Sequence, residues 1–381
     1  MSWLDESARL QLADWRAAGL ARSPSTFSTG QNPVCMIDGR EYVLFSSSNY
    51  LGLAGNPHVT EAATEALERY GAGSGGSRLT TGSTTAHVQV ERDFARFLGY
   101  EDAVFYSAGF LANTGVLQTI GGPGTLILSD ERNHASIIDG CRLAKAAGAT
   151  VKVYRHRDPD HVEELIAAHP GKCIVVTDGL FSMDGTLAPL ADLLVVCREN
   201  GAALMVDDAH GIGTLGATGR GISERFDLDD VPDILVATAS KALGAEGGAV
   251  ATTAPVAALL RQKSRPFVYS TSSAPHTCAA VSAAIRVLES DSSPVPVLHR
   301  NIARLASRLG MGDWASPIIP VPMGDEARAV QASAALREAG YFVPAIRWPT
   351  VPRGAAMLRV TVMATHTEEH IDGLARAISR L

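Results

Sequence analysis

The stretch Pro232-Asp233-Ile234-Leu235-Val236-Ala237-Thr238-Ala239-Ser240-Lys241-Ala242-Leu243-Gly244-Ala245-Glu246-Gly247-Gly248 decides how the rest of the chain is read. It opens as an apolar run with β-branched residues, the pattern of a buried strand. It then passes through Thr-Ala-Ser-Lys into small residues and glycines, where backbone can approach a neighbour closely. A lysine just past a buried strand occupies a place that disfavours its charged form. The ordinary outcome is a stem that extends and carries the ammonium to water. Upstream, however, a second apolar strand, Ala203-Leu204-Met205-Val206, ends in Asp207-Asp208-Ala209-His210-Gly211. An acid and an imidazole at one strand end and a lysine at another are the parts of a pyridoxal phosphate (PLP) site. In such a site the lysine forms a Schiff base and a carboxylate pairs with the pyridinium nitrogen.

Working outward, strand patterns recur at 103–106, 125–128, 150–154, 173–177, 203–207, 234–238 and 248–252, and most are separated by Ala- and Leu-rich helical stretches. That alternation predicts an α/β fold with a mostly parallel sheet covered by helices on both faces. Ligands in such sheets lie beyond the carboxyl ends of the strands, where the polar candidates cluster. Before this region, apolar spacing predicts an amphipathic helix over 3–21, a strand over 42–45, a turn-like Ser46-Ser47-Ser48-Asn49-Tyr50-Leu51-Gly52-Leu53 and a helix over 57–70. After it, Glu289-Ser290-Asp291-Ser292-Ser293-Pro294-Val295-Pro296 reads as a hinge. A helix, strands near 318–321, 342–346 and 357–362, a helix over 325–339 and a closing helix follow. The expected domains are an N-terminal helix and arm (1–50), a large cofactor-binding domain (51–290) and a small C-terminal α+β domain (291–381).

Composition removes several function classes. The chain has 381 residues, a formal net charge of −7 and no basic stripe, which argues against nucleic-acid binding. The five cysteines are scattered without a C-x-x-C pair, so they read as reduced core residues of a cytoplasmic protein and no metal site is expected. No apolar run is long enough to span a bilayer, and the acidic opening Asp5-Glu6 is unlike a secretory leader.

Two glycine runs, Gly71-Ala72-Gly73-Ser74-Gly75-Gly76 and Gly211-Ile212-Gly213-Thr214-Leu215-Gly216, match G-x-G-x-x-G. The first follows a helix and the second leads into a loop, so neither has the strand–turn–helix setting of a dinucleotide site. Ser107-Ala108-Gly109-Phe110-Leu111-Ala112-Asn113 is better placed: it follows a strand and opens a helix, leaving free N–H groups for an anion. With Thr238 it forms the expected phosphate cradle. His134 follows another strand, where its ring could stack on a cofactor; by itself such a histidine is more often structural. Asp178 and Ser182 follow yet another strand end, where an Asx-type turn is the plainer reading. In Leu358-Arg359-Val360-Thr361-Val362 an arginine sits within an alternating strand, suited to bidentate binding of a substrate carboxylate if it faces the cleft.

Together these segments resemble the α-oxoamine synthases, fold-type I PLP enzymes that condense an amino acid with an acyl thioester and release carbon dioxide. The resemblance runs from Trp3 through Ser-Asn-Tyr-Leu-Gly-Leu, Gly-Ser-Gly-Gly-Ser-Arg, Asn133-His134-Ala135-Ser136, Phe181-Ser182-Met183-Asp184-Gly185, Val206-Asp207-Asp208-Ala209-His210-Gly211, Ser240-Lys241 and Leu358-Arg359-Val360-Thr361. It implies a seven-stranded, mostly parallel sheet with a smaller C-terminal domain, and a homodimer. It implies Lys241, His134, Asp207 and His210 as the catalytic set. Lys241 would be the Schiff-base lysine, Asp207 the partner of the pyridine nitrogen, and His134 the ring stacked on the cofactor. His210 and Ser182 would meet the ring's phenolic oxygen, and Gly109, Phe110 and Thr238 the phosphate. Thr271, in Tyr269-Ser270-Thr271-Ser272, would reach the partner subunit's phosphate. Arg359 and Ser48 would lie near the amino-acid carboxylate, and Arg22 and Thr350 on the acyl side.

Within the family, Met1-Ser2-Trp3 and Ala345-Ile346-Arg347-Trp348-Pro349-Thr350-Val351-Pro352 look most like the biotin-pathway branch. That branch implies L-alanine and a pimeloyl thioester, carried by coenzyme A or acyl carrier protein. The chain departs from the family pattern at Ser48-Asn49, at Asp178 (commonly Glu) and at Trp348 (typically Pro in that branch). The alternatives are a glycine-using member, either 2-amino-3-oxobutyrate CoA ligase or 5-aminolevulinate synthase, and, more remotely, a nicotinamide-dependent oxidoreductase. The last would leave Lys241, Asp207 and His210 without roles.

Overall fold

The computed structural model describes residues 2–381; Met1, part of the opening motif, lies outside them. After a helix at Trp3–Ala17, strands β1 (Val34–Ile37) and β2 (Arg40–Leu44) form a hairpin. The central sheet contains β3 (Asp102–Tyr106), β4 (Thr125–Asp130), β5 (Thr150–Tyr154), β6 (Lys172–Asp178), β7 (Ala203–Asp207), β8 (Ile234–Thr238) and β9 (Gly248–Thr252), in the order β3-β9-β8-β7-β6-β4-β5. Every pairing from β8 to β5 is parallel; β9 alone runs against its neighbours β8 and β3. Because β3 opposes β9 and β9 opposes β8, β3 points the same way as the parallel strands. The helix starting at Gly109 therefore begins at the same sheet edge as the ends of β4, β6, β7 and β8.

Burial explains the runs of apolar residues. All five residues of β8 and of β9 are buried, as expected for strands covered on both faces. Along β7 the side chains alternate: Leu204 and Val206 join one apolar layer and Met205 the other. Helices such as Gly109–Ile120, Ala135–Ala146 and Pro275–Ser290 supply the covering faces. The loop from β8 to β9, which carries Lys241, is closed by Ala239 N–H to the Gly247 carbonyl (2.9 Å) and Gly244 N–H to the Lys241 carbonyl (2.9 Å). Glycine is required at two of its positions. A Cβ on Gly248 would lie 2.5 Å from Gly109 Cα, and one on Gly244 (φ +67°) would lie 2.2 Å from Ala54 N.

The C-terminal region has its own antiparallel sheet, in which β13 (Ala356–Thr361) lies between β10 (Ile318–Gly324) and β12 (Ala345–Ile346). The single strand expected at 342–346 is instead two. Here β11 (Tyr341–Phe342) pairs with β2 in parallel, while β12 pairs with β13. Pro344 between them offers no N–H to a ladder. The opening helix also stops earlier than expected, at Ala17, and none of its residues is buried. Strand β1 and the helix Thr85–Leu98 were not among the expected elements.

His366 ties these layers together. Its Nε2 lies 2.9 Å from the Leu44 carbonyl, its Nδ1 accepts the Met363 N–H at 3.0 Å, and its ring stacks on Phe45 at 4.1 Å. Burial holds its pKa down to about 3. A histidine depressed in the folded state stabilises the fold above its free pKa near 6.5, and that contribution is lost as pH falls toward 3. We expect the unfolding free energy of the wild-type chain to fall more steeply below pH 6.5 than that of His366→Gln. The difference should be about 1.4 kcal/mol per pH unit, measured by urea denaturation between pH 6.5 and 4. Parallel slopes would contradict it.

Candidate active site

The carboxyl ends of the parallel strands and the start of the helix Gly109–Ile120 enclose a cleft of about 250 Å³. Of the residues singled out from the sequence, Gly109, Phe110, His134, Ser182, Asp207, His210, Thr238 and Lys241 line it. They arrive from five strand ends or the turns after them, those of β3, β4, β6, β7 and β8, which is why residues so far apart in sequence meet.

At one wall, no side chain caps the helix beginning at Gly109, so its first N–H groups face outward without intrahelical partners. Thr238 lies beneath this helix start: a Cβ on Gly109 would be 3.4 Å from Thr238 Oγ1. Thr238 Oγ1 donates to the Gly247 carbonyl (2.9 Å) and lies 2.8 Å from Ser240 Oγ. Two hydroxyls therefore stand at the anion position where the sequence singled out one.

On the floor, Asp207 Oδ2 accepts Asn113 Nδ2 at 2.6 Å and Asp207 Oδ1 accepts the Ala209 N–H at 3.0 Å. Asp178 is its register partner on β6. Burial, reinforced by the Asp207 charge, pushes the Asp178 carboxyl well above the usual carboxylate range. Its Oδ1 accepts the His134 N–H at 3.2 Å, so the shorter acid standing where the family commonly has Glu serves to seat His134. Burial also lowers the Lys241 pKa, against the pull of Asp207 and Asp178 and with help from the Arg359 charge. His210 is driven well below the ordinary imidazole range by burial and by the cations Lys241 and Arg359. Its Nδ1 lies 2.8 Å from the hydroxyl of Tyr50, a fully buried phenol that needs such a partner.

Arg359 is 8% exposed on β13, and its Nε donates to the Ser182 carbonyl at 2.6 Å. Among the described residues it makes no salt bridge. A buried guanidinium without a carboxylate is costly, and an anionic ligand would remove that cost.

Arg359 reaches the cleft only through Ser182 and does not line it, and the remaining candidates also stand outside. Arg22 Nη2 donates to Thr350 Oγ1 at 3.2 Å, so these two meet each other across the chain. Beside them Arg347 donates to the Ala21 carbonyl at 2.9 Å, and Trp348 packs on Trp15 at 5.6 Å. Ser48 is half-buried, and its carbonyl accepts the Tyr50 N–H at 2.8 Å. Its neighbour Asn49 supports the loop, accepting the Ala54 N–H and donating to the Gln31 carbonyl. Thr271 lines a separate small hollow with Arg78, His87 and Ser107. Asn113, Ser136 and Ser240 line the main cleft and Tyr50 touches it through His210. None of the four was given a role from the sequence, although all four fall inside quoted stretches.

Both glycine runs are loops, as expected. All five cysteines are buried and free, no group of metal-ligating side chains forms among the described residues, and no described helix is long and apolar enough to cross a membrane.

A mostly parallel sheet with a half-buried lysine and a carboxylate lining one cleft at its carboxyl edge defines a class, and comparison with known proteins agrees with it. The chain belongs to the aminotransferase class I and II family, whose model matches residues 40–378. It is 42% identical to the 8-amino-7-oxononanoate synthase of Geobacter sulfurreducens, over 97% of this chain and 96% of that protein. It is 45% identical to the Biotin biosynthesis bifunctional protein BioWF of Corynebacterium kroppenstedtii, over 98% of this chain, but it spans only 58% of that longer protein. Among solved structures, a serine palmitoyltransferase variant from S. paucimobilis with bound PLP–myriocin aldimine superposes with a TM-score of 0.92 at 29% identity. The alignment covers 100% of this chain and 98% of that one.

Proposed function

We propose that the protein is a PLP-dependent acyltransferase that condenses L-alanine with a pimeloyl thioester to give 8-amino-7-oxononanoate, carbon dioxide and the free thiol, in biotin biosynthesis. The observation that carries the reading is the half-buried Lys241 set among Asp207, His210 and the uncapped helix start at Gly109. The likeness to the named Geobacter protein supports the substrate pair. These residues fit PLP: an amine to hold its aldehyde carbon, a carboxylate for its ring nitrogen, and N–H groups with Thr238 and Ser240 for its phosphate. When bound, PLP supplies an electron sink for the carbanion at the amino-acid Cα.

The chain's own residues do the rest. Lys241 Nζ, kept short of its ordinary basicity, takes the Cα proton and later returns one. Asp207 would hold the proton on the cofactor's ring nitrogen, His134 would pack against the ring, and His210 and Ser182 would steady its oxygen. Arg359, with its Nη groups free of protein carboxylates, clamps the amino-acid carboxylate. Ser48, outside the cleft itself, would lie on the same side of the substrate, as the family resemblance implies.

The test is a grid of amino acids against acyl thioesters on coenzyme A and acyl carrier protein, read by thiol release. L-Alanine with pimeloyl thioester should be the fastest pair. Glycine with acetyl-CoA as the fastest pair would overturn the substrate assignment.

Arg22 and Thr350 form the proposed acyl side, with Arg347 beside them. The distal carboxylate of a pimeloyl chain needs a cationic or hydrogen-bonding partner once it leaves water, and Arg359 serves the other substrate. Arg22→Ala should therefore raise KM for the pimeloyl thioester roughly tenfold or more, the scale of one lost charged hydrogen bond, and leave KM for alanine within twofold. Equal changes in both would remove Arg22 from the acyl side.

The working unit we propose is a homodimer. Within one chain Thr271 faces a hollow apart from Lys241, and the surface between carries exposed Tyr269 and half-exposed Phe110. Thr271 would then complete the phosphate site of the neighbouring subunit. Mixing inactive Lys241→Ala with inactive Thr271→Asp chains should regenerate up to about a quarter of wild-type activity, because every hybrid dimer has one intact site of two and random pairing makes about half of the dimers hybrids. No recovery from demonstrably mixed dimers would refute it.

A further inference from the structure

Four side chains from three elements make one hydrogen-bonded chain that runs from the buried Asp207, Asn113 and Ser136 out to the exposed His134. Asn113, on the helix Gly109–Ile120, is 1% exposed; Ser136, in the first turn of Ala135–Ala146, is fully buried. Asn113 Nδ2 lies 2.6 Å from Asp207 Oδ2 and 2.9 Å from Ser136 Oγ. Ser136 Oγ lies 2.8 Å from His134 Nδ1. An ionised carboxylate offers only lone pairs, so the amide must turn its NH₂ toward Asp207. Both amide protons are then committed, one to Asp207 and one to Ser136. Having accepted from Asn113, the Ser136 hydroxyl has its own proton left to give, and His134 Nδ1 is the acceptor within reach. The Ser136 backbone N–H also points at Nδ1, at 3.3 Å. Two donors aimed at one nitrogen require it to be unprotonated, which places the imidazole proton on Nε2.

We propose that Asn113 and Ser136 are positioning residues: they fix the Asp207 carboxylate and lock His134 as the neutral Nε2–H tautomer through one directional chain. Two further observations support it. Asn113 Oδ1 has no hydrogen-bond partner among the described residues; a buried orphan carbonyl is costly, so what holds an amide there is the work of its NH₂ end. Burial, aided by Lys241 and opposed by Asp207, also holds the His134 pKa below its ordinary value, in keeping with a neutral ring. What the fixed groups are for rests on the PLP reading above; the chain of hydrogen bonds does not.

The experiment therefore has two arms on the full-length protein. In the first, ¹⁵N imidazole shifts of His134 are recorded without added PLP. Wild type should show Nδ1 bare and Nε2 protonated; Ser136→Ala should show a mixture of tautomers, and Ser136→Thr, which keeps the hydroxyl, should restore the single form. A wild-type proton on Nδ1, or a Ser136→Ala spectrum like wild type, overturns the proposal. In the second, PLP affinity is titrated by absorbance. Asn113→Leu, similar in shape without the donors, should bind PLP about 10- to 100-fold more weakly, the range expected for a lost hydrogen bond to a charged group. It should also lower kcat with KM for alanine little changed. Binding within twofold of wild type overturns the role of Asn113. Should Asn113→Leu fail to fold, the tautomer arm decides alone. Wild type that binds no PLP at all refutes the cofactor reading, while the His134 tautomer still upholds or overturns the hydrogen-bonded chain.

Discussion

Lys241→Ala is expected to lower kcat for thiol release by at least roughly 10²–10⁴-fold, the contribution of a positioned general base, while PLP still binds. Retention follows because the helix start at Gly109, with Thr238 and Ser240, is untouched by the substitution. Loss of turnover follows because Lys241 is the lysine that lines the cleft and its neighbours cannot replace it. Asp178 is pushed toward its neutral form and so makes a poor base, and His210 is committed to Tyr50. A free lysine near pKa 10.4 would be almost wholly charged at pH 7, and making its neutral form common costs about 4 kcal/mol, or three units. Burial of Lys241 moves it in that direction. The sign for pH follows: activity should rise with pH through this depressed pKa, because the neutral amine is the working form. Adding a small primary amine such as methylamine to Lys241→Ala should restore part of the rate, since it re-supplies a base in the cleft. Borohydride should fix PLP to the wild-type peptide containing Lys241 and to no peptide of the variant. Ordinary turnover by Lys241→Ala would remove Lys241 as the base.

Much of this site can be read from sequence because strand ends are local signals. An apolar run that stops at an acid, a histidine or a lysine marks both the strand and the polar residue at its end, and the parallel sheet then gathers those ends at one edge. Asp207, Lys241 and Thr238 are of this kind. Asn113 is not. It lies inside a helix whose apolar neighbours make it read as an ordinary interior residue, and its partner Asp207 is 94 positions away. Tyr50 is separated from His210 by 160 positions and sits in a loop without periodicity. The β11–β12 break was legible in principle, since Pro344 interrupts the run, but which sheet each half joins depends on β2, some 300 residues earlier. The Arg22–Thr350 pair likewise spans 328 positions. The resemblance supplied both residues; spacing alone could not have joined them.

Asp207→Asn is expected to keep PLP but to slow exchange of the alanine Cα proton with deuterated water by roughly 10²- to 10³-fold, the scale of removing one partner from a buried charge pair. The change is nearly isosteric, yet it is wrong for the site twice over. Toward the cofactor, a neutral amide gives up the charge that keeps the ring nitrogen protonated, and with it the ring's capacity to draw electrons from Cα. Toward the protein, both carboxylate oxygens already receive donors, Oδ2 from Asn113 and Oδ1 from the Ala209 N–H. An asparagine has one acceptor oxygen, so either orientation sets its NH₂ against one of those donors. If Asn113 is the group displaced, the disturbance should travel to Ser136 and His134, and the His134 tautomer should loosen as it does in Ser136→Ala. The loss in proton exchange should exceed the loss in PLP affinity, which should be of the size expected for Asn113→Leu, because the phosphate cradle at Gly109 lies on a separate wall and is untouched. A variant exchanging the Cα proton at the wild-type rate would show that the ring nitrogen needs no anionic partner, and Asp207 would then be left with a structural role alone.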